Sequence, residues 1–250
     1  MIKEGNIVSA EKTLEILELF DFESRTLSVP EIAAKLQQPQ SSVYRHMRVL
    51  KEKGYIIEYS PGLYSLGYIF LKLAKIVKMD INLPAVSQDA MRELTRTTGE
   101  TSILLVPSNL QAVCLASVPS GHPIKVSSEQ GTIVPLYGGA SSKALLAYMG
   151  DHVVEEIFRS GMVKKHTEQT ILNLDEMLGH LQEIRDQGYA VSNSEIDYGV
   201  TAFGMPIFDC DDKLVASLSI AGPKERLENK ETVEIVNALK NAVEKIQNQI

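Results

Sequence analysis

Hydrophobic positions near the start of the chain recur at helical spacing in short segments that polar breaks separate. In the first segment Leu14 and Leu17 lie on one helical face, and Ser9 is placed to cap the helix N-terminus. In the second segment Ser28 is followed three residues later by Glu31, which is the capping-box pattern, ahead of a short apolar face. The pattern therefore predicts two short helices at the start of the chain.

A third helix and a hairpin are predicted next. The helix begins at Ser41 or Ser42 and ends at about Lys53, with a glycine directly after it, where helices commonly stop. Large apolar side chains then stand at every second position over residues 55–59, a Ser-Pro-Gly turn follows, and residues 63–66 return as a second strand. Three helices followed by a two-stranded ribbon are the plan of a winged helix-turn-helix.

The rest of the chain has a longer and more mixed pattern. An amphipathic stretch at residues 68–79 predicts a connecting helix, and Pro84 begins a further helix that ends at about Thr98. Beyond it, β-rich segments are predicted at residues 100–107, 112–119, 203–209 and 214–223, and helices at residues 141–149, 151–158, 174–187 and about 231–250. Strands mixed with flanking helices indicate an α/β or α+β domain, of which we favour α+β. The predicted segments are residues 1–67 for the winged helix-turn-helix, 68–82 for the linker helix and 83–250 for this domain.

Charge is distributed unevenly along the 250 residues. The whole chain has a net charge of −7, with 25 Lys and Arg against 32 Asp and Glu. Residues 1–80 hold 11 of the basic and 10 of the acidic side chains, so the excess acidity belongs to the remainder. This balance excludes a uniformly basic nucleic-acid-binding surface but leaves room for a local one. Two regions of unlike charge indicate two domains with different partners.

Metal, disulfide and membrane chemistry find little support in the sequence. Cys114 and Cys210 are the two cysteines, too few for a four-cysteine zinc site, and we expect both to be reduced thiols. The histidines show no ligand spacing, so we expect no metal, and we expect no cofactor. The N-terminus lacks the apolar core of a signal peptide, and no apolar run is long enough to span a membrane. We therefore expect a cytoplasmic protein without a membrane partner.

The third predicted helix carries the clearest candidate chemistry. On a helical wheel Val43, Met47 and Leu50 share the core-facing side. The predicted DNA-contacting residues on the rest of the helix are Ser41, Ser42, Tyr44, Arg45, Arg48 and Lys51. Residues 41–53 have a net charge of +3, and arginine can pair with guanine edges while hydroxyl and ammonium groups suit phosphates. The alternative is a solvated helix face, but the second helix of a helix-turn-helix is where base-reading side chains are expected.

Five segments follow one another in a specific order: SAEKTLEILELF, LSVPEIAAKL, SSVYRHMRVLKEKGYI, VPLYGGASSKALLAYM and RDQGYAVSNSEIDYGVTAFGMPIFDCDDKLVASLSIAGP. Together they resemble the IclR family of bacterial transcriptional regulators over nearly the whole chain. The resemblance implies an N-terminal winged helix-turn-helix, a linker helix used in dimerisation, and a C-terminal effector-binding domain with a GAF/profilin-like fold.

Small residues precede the helix predicted at 141–149. Backbone N–H groups at a helix start favour a carboxylate or phosphate, although Ser141 and Ser142 could instead simply cap the helix. The resemblance implies that effector contacts fall on Gly139, Ala140, Ser141, Asn193, Ala202 and Ser219. Ala202 has no polar group at a position where some relatives have a polar or reactive side chain, so the ligand chemistry is expected to differ.

Glu195 and Asp197 are predicted to share one side of a strand, as a pair of carboxylates for general acid–base catalysis would. No nucleophile or metal-ligand set accompanies them in the sequence, so we expect no catalytic residues. We instead expect Glu195 to accept hydrogen bonds from neighbouring backbone N–H groups.

These observations predict a sequence-specific DNA-binding regulator, and we expect a repressor of a catabolic operon that responds to a small organic acid. The two-fold symmetry of a homodimer or homotetramer implies a palindromic operator in double-stranded DNA. Two alternatives stay open. One is an enzyme that turns over its ligand in the GAF-like domain, which the missing catalytic constellation disfavours. The other is a regulator whose degenerate pocket responds to a protein partner, which the small polar residues disfavour.

Overall fold

The computed structural model describes residues 4–80 and 83–250, with the side chains of residues 4–8, 75 and 77–80 left undescribed. The chain divides into two compact units between Ile81 and Asn82. The predicted segments 1–67 and 68–82 include residues 1–3 and 81–82, which lie outside the described residues. The boundary between residues 67 and 68 stays a prediction.

The first unit is built from short helices and a small antiparallel sheet. Its elements are α1 (Glu4–Glu18), β1 (Leu27–Ser28), α2 (Val29–Lys35), α3 (Gln40–Glu52), β2 (Ile56–Ser60), β3 (Leu63–Leu66) and α4 (Ile69–Asp80). The sheet has the strand order β1-β3-β2, and its hairpin β2–β3 is the predicted wing. Its core contains Ile16, Ile32 and Val43, which are buried. The predicted winged helix-turn-helix is therefore confirmed.

Capping explains one helix start and corrects another. The Glu31 N–H donates to Ser28 Oγ at 3.4 Å and the Ser28 N–H donates to Glu31 Oε2 at 2.7 Å, so the predicted capping box of α2 is confirmed. The predicted cap at Ser9 is wrong, because α1 begins at Glu4 and Ser9 lies inside it. Helix extension is cooperative, and the residues before Ser9 continue the helix by more than a turn. Helix α3 begins at Gln40, one residue before the predicted Ser41.

The second unit is an antiparallel six-stranded sheet with helices. Its elements are α5 (Leu83–Thr98), β4 (Thr101–Ser108), β5 (Gln111–Val118), β6 (Ile133–Pro135), α6 (Ala140–Leu146), α7 (Asp151–Arg159), α8 (Leu174–Gln187), β7 (Ala190–Asn193), β8 (Val200–Phe208), β9 (Leu214–Pro223), α9 (Lys224–Glu228) and α10 (Thr232–Gln247). The strand order is β6-β5-β4-β9-β8-β7. The predicted α+β class is confirmed, while β1, β6, β7 and α9 were not predicted. The strand predicted to carry Glu195 and Asp197 is wrong, because both residues lie in the turn between β7 and β8.

The two faces of this sheet carry different side chains. On one face α6 packs against β8 and β9, and Gly204 of β8 approaches it so closely that a Cβ would lie 2.7 Å from the Ala140 carbonyl oxygen. On the other face Ser102 of β4 donates to the Met91 carbonyl oxygen of α5 at 3.1 Å. Ser102 pairs with Ile220 of β9, so residues in register with it face α5 and their neighbours face α6.

None of the helices described combines the length and the apolar character that crossing a membrane requires. Over the described residues, no three His, Cys, Asp or Glu side chains come together in a way that could hold a metal ion. Cys114 is buried and Cys210 is exposed, and both are free thiols.

Candidate DNA interface and effector site

Helix α3 has one buried face and one exposed face. Val43, Met47 and Leu50 are buried in the core of the first unit, which confirms the face predicted from the helical wheel. The helix ends at Glu52, and Gly54 turns the chain directly after the cap residue: its φ of +78° suits glycine, and its N–H donates to the Lys51 carbonyl oxygen at 3.0 Å. The burial of three apolar side chains therefore orients the rest of α3 toward solvent.

The six predicted DNA-contacting residues all lie on α3. Ser42 is half-buried and the other five are exposed, namely Ser41, Tyr44, Arg45, Arg48 and Lys51. Four of the six line an open cleft of 360 Å³ beside the wing residue Tyr64; they are Tyr44, Arg45, Arg48 and Lys51. The helix and wing therefore present one continuous exposed surface with three cationic side chains around a concavity.

Lys51 differs from the two arginines because an acid of the wing holds it. Its Nζ lies 2.6 Å from Glu58 Oε2 and 5.8 Å from the centre of the Tyr64 ring. The hydrogen bond with Glu58 raises the pKa of Lys51, and the same bond, together with the Gly62 N–H, lowers the pKa of Glu58. Lys51 is thus paired within the protein, whereas Arg48 has only a loose, exposed contact of 3.9 Å with Glu52.

The start of α6 is shaped by glycine. Gly139 precedes the helix with a φ of +84°, a conformation that other residues rarely adopt, and no side chain caps the helix. Ser141 and Ser142 lie inside α6, so the alternative in which these serines cap the helix is wrong. The Ser141 hydroxyl instead donates to Ser219 Oγ of β9 at 2.8 Å.

Four predicted effector residues lie together where α6 meets the sheet. Ser217 Oγ donates to the Ser141 carbonyl oxygen at 2.9 Å, which fixes the helix against β9. Gly204 pairs with Ser219, and Ala202, two residues before Gly204, therefore faces α6 as well. Ala140, Ser141, Ala202 and Ser219 consequently share this region, with Gly139 at its edge.

Asn193 lies apart from this group. It is exposed and pairs with Thr201, whose side chain alternates with that of Ala202 and so faces the opposite side of the sheet. Its neighbour Ser192 pairs directly with Ala202 and faces α6. Ser192 is buried, at only 6% exposed. Strand register, which a single sequence does not reveal, thus brings Ser192 rather than Asn193 to the α6 face.

A buried ion pair, which sequence reasoning missed, supports the start of α6. Lys143 of α6 is fully buried, and its Nζ contacts Glu195 Oε1, His180 Nε2 at 2.7 Å and the Val191 carbonyl oxygen at 3.1 Å. The other carboxylate oxygen of Glu195 accepts from the Gly139 N–H at 3.1 Å, as expected for its backbone-bonding role. The signal in the sequence was a single charged residue, Lys143, among the apolar residues of a helix.

The proton positions in this cluster follow from the donors. Burial lowers the pKa of Lys143 below its usual value, and the nearby Glu195 carboxylate offsets only part of this decrease. Burial first, and then the Lys143 charge, lower the pKa of His180. Because an ammonium group can only donate, a neutral His180 accepts at Nε2 and carries its proton on Nδ1, which lies 3.5 Å from Glu183.

Glu195 and Asp197 do not form a catalytic pair in this arrangement. Glu195 is buried and engaged with Lys143, while Asp197 is exposed. The interface between α6 and the sheet therefore offers hydroxyl groups and backbone for binding, and its charged groups are internally paired.

An exposed cationic helix in a helix-turn-helix with a wing, followed by a separate α+β unit, defines a DNA-binding transcriptional regulator. Two family models match the chain: "IclR helix-turn-helix domain" over residues 9–57 and "Bacterial transcriptional regulator IclR C-terminal" over residues 75–248. The chain belongs to the IclR family.

Curated relatives and solved structures agree with this assignment. The regulator KdgR of Escherichia coli is 29% identical over 246 residues, which cover 98% of this chain and 93% of KdgR. The repressor AllR of E. coli is 24% identical over 218 residues, covering 87% of this chain and 80% of AllR. An IclR homologue from Microbacterium hydrocarbonoxydans, solved with 4-hydroxybenzoate, has the same fold: its TM-score is 0.81 at 20% identity, with 96% of this chain and 98% of that one covered.

Proposed function

We propose that this regulator represses a catabolic operon by inserting α3 into the major groove of its operator, and that a small organic acid bound to the second unit releases it. The observation that carries the first part is the exposed face of α3, with Arg45 and Arg48 opposite the buried Val43, Met47 and Leu50. Repression is supported by the relative AllR, which is a transcriptional repressor.

Each residue of this face has a proposed role that follows from its chemistry. Arg45 and Arg48 would read bases, because a guanidinium group can donate two parallel hydrogen bonds to a guanine edge. Hydroxyl and ammonium groups would contact phosphates and so fix the position of the helix; these are the groups of Ser41, Ser42, Tyr44 and Lys51.

A gel shift tests this interface with DNA from upstream of the gene. We expect the double variant Arg45→Ala/Arg48→Ala to lose specific binding while circular dichroism shows an unchanged fold. A matched control removes two exposed cations from the second unit, Arg92→Ala/Arg159→Ala, and is expected to bind as the unaltered protein does. Equal binding by the two double variants would refute the assignment of α3.

The proposed effector site is the region where α6 meets β8 and β9. Its support is a group of small side chains and buried hydroxyl-bearing residues on one face, including Ser192, which pairs with Ala202. The structural neighbour was solved with 4-hydroxybenzoate, which is a small carboxylate, and this supports an organic acid as the ligand class. Since the Gly139 N–H already donates to Glu195, an effector carboxylate would accept from serine hydroxyls, and Ser141 would then have to give up its bond to Ser219.

A thermal-shift screen of carboxylates and sugar acids, followed by release from DNA, tests this site. For a ligand that acts in both assays, we expect Ser192→Ala to raise the releasing concentration about tenfold, as the loss of a charged hydrogen bond does. Asn193→Ala, on the other side of the sheet, is the control and should leave that concentration unchanged. If Asn193→Ala raises the releasing concentration and Ser192→Ala leaves it unchanged, the proposed site is overturned. A chemically altered ligand recovered after incubation would favour the enzyme alternative.

The proposed assembly is a homodimer or homotetramer on a palindromic operator. Helix α4 and the residue before it expose several large apolar side chains, Tyr68, Leu71, Leu73 and Ile76. Large exposed apolar side chains on one short helix favour association with a second copy. We expect light scattering to show a dimer or larger, and Leu71→Glu to shift it toward the monomer. A monomeric parent protein at micromolar concentration would contradict this assembly.

A further inference from the structure

The wing of the first unit has an unusual charge composition for a DNA-binding element. Residues 55–67 contain no Lys, Arg or His, and Glu58 is their one acidic residue. Because DNA phosphates attract cations and repel anions, a wing with this composition gains nothing from charge and places one carboxylate beside the cationic helix.

Glu58 holds two groups at once. Its Oε2 accepts from Lys51 Nζ of α3 at 2.6 Å, and its Oε1 accepts from the Gly62 N–H in the wing turn at 3.2 Å. The Lys51 and Glu58 side chains are 49% and 37% exposed, so the pair lies at the surface but is not fully solvated. The carboxylate thus ties the tip of the wing to the last turn of α3.

We propose that Glu58 determines specificity by withholding Lys51 from the phosphates of non-cognate DNA. Phosphate contacts supply affinity that is independent of sequence, so a lysine paired inside the protein contributes less to non-specific binding. On the operator, base contacts hold a DNA phosphate close to Lys51. The effective concentration of that phosphate is then high enough to displace the Glu58 carboxylate from Lys51. The inference rests on the proposed function, because it assumes that α3 faces DNA.

The proposal predicts how binding to random-sequence DNA depends on salt. Each additional phosphate contact steepens the plot of log affinity against log salt by about 0.9. In Glu58→Gln the charge is lost but an oxygen remains to accept from Gly62, so Lys51 is released while the wing turn keeps its bond. We expect this variant to bind random duplex more tightly at low salt, with a slope steeper by about 0.9 per subunit.

Fluorescence anisotropy with a random-sequence duplex, from low to moderate salt, tests the proposal. Four variants of the full chain are needed: Glu58→Gln, Lys51→Met, the double variant of both, and Glu15→Gln as a control. Glu15 is an exposed acid of α1, so its variant makes the same change in net charge away from Lys51. We expect Glu15→Gln to keep the slope of the parent protein, and Lys51→Met to abolish the effect of Glu58→Gln.

Each outcome has a defined meaning. A slope in Glu58→Gln equal to that of the parent overturns the proposal, as does a steepening that persists when Lys51 is absent. A parent protein that shows no salt-dependent binding to duplex DNA overturns both this proposal and the proposed function. If the parent protein binds DNA and the Arg45→Ala/Arg48→Ala variant loses operator binding, the proposed function stands, whatever the result for Glu58→Gln.

Discussion

Replacing Lys143 by methionine removes one partner of a buried ion pair and leaves the Glu195 carboxylate without its cation. The Lys143 side chain is 0% exposed and that of Glu195 is 9% exposed, so water cannot compensate. Breaking such a pair from one side costs about 3–5 kcal/mol. Glu195 keeps its hydrogen bond from the Gly139 N–H, so we expect the free energy of unfolding to fall by about 3 kcal/mol, at the lower end of that range.

The double variant Lys143→Met/Glu195→Gln separates the pair from its surroundings. It removes both charges and keeps an oxygen to accept from Gly139, so we expect it to be about 2 kcal/mol more stable than Lys143→Met alone. Urea unfolding followed by circular dichroism measures both values, since the chain has no tryptophan. As a control, Lys165→Met breaks an exposed pair and should change stability by less than about 0.5 kcal/mol. If the double variant loses as much stability as the single variants Lys143→Met and Glu195→Gln lose together, the reasoning is refuted.

Two further predictions concern acid stability and close packing. The pKa of His180 is lower in the folded than in the unfolded protein, so the unfolded state binds the proton more readily as the pH falls through 6.5, and stability decreases. Melting temperatures from pH 7.5 to 5.5 should fall less in His180→Gln than in the exposed control His166→Gln, and equal falls would contradict this. Gly204→Ala forces a Cβ to 2.7 Å from the Ala140 carbonyl oxygen and should cost about 1–3 kcal/mol in urea unfolding. Gly179→Ala, in open space on α8, should instead stabilise by about 0.5–1 kcal/mol, and a loss in both or neither would count against the packing argument.

Local patterns predicted the DNA-binding unit well. The capping box at Ser28 and the wheel of α3 are each set by residues within a turn or two of one another, and one sequence contains that information. The short strand β1 was missed because it exists only by pairing Leu27 and Ser28 with β3, more than 30 residues away. Two residues carry no strand signal of their own.

The effector region was predicted less well because it depends on register between distant strands. Asn193 and Ser192 are adjacent in sequence, and shifting a strand by one residue exchanges the faces on which its side chains lie. The pairing of Ser192 with Ala202 decides the matter, and no spacing rule predicts it. The bond between Lys143 and Glu195 joins positions 52 residues apart, which hydrophobic periodicity does not detect.

The alternation along β8 and β9 separates two kinds of evolutionary change. Ala202 and Ser219 face α6, whereas their neighbours Phe203 and Ile220 are buried on the α5 side of the same strands. A substitution at a position of the first kind alters the small polar surface beside α6 and leaves the packing on the far side untouched. Within the proposed site, single changes at positions such as Ala202 and Ser219 could therefore alter the ligand that is bound without disturbing Phe203 and Ile220, provided that the new side chain fits the close packing against α6.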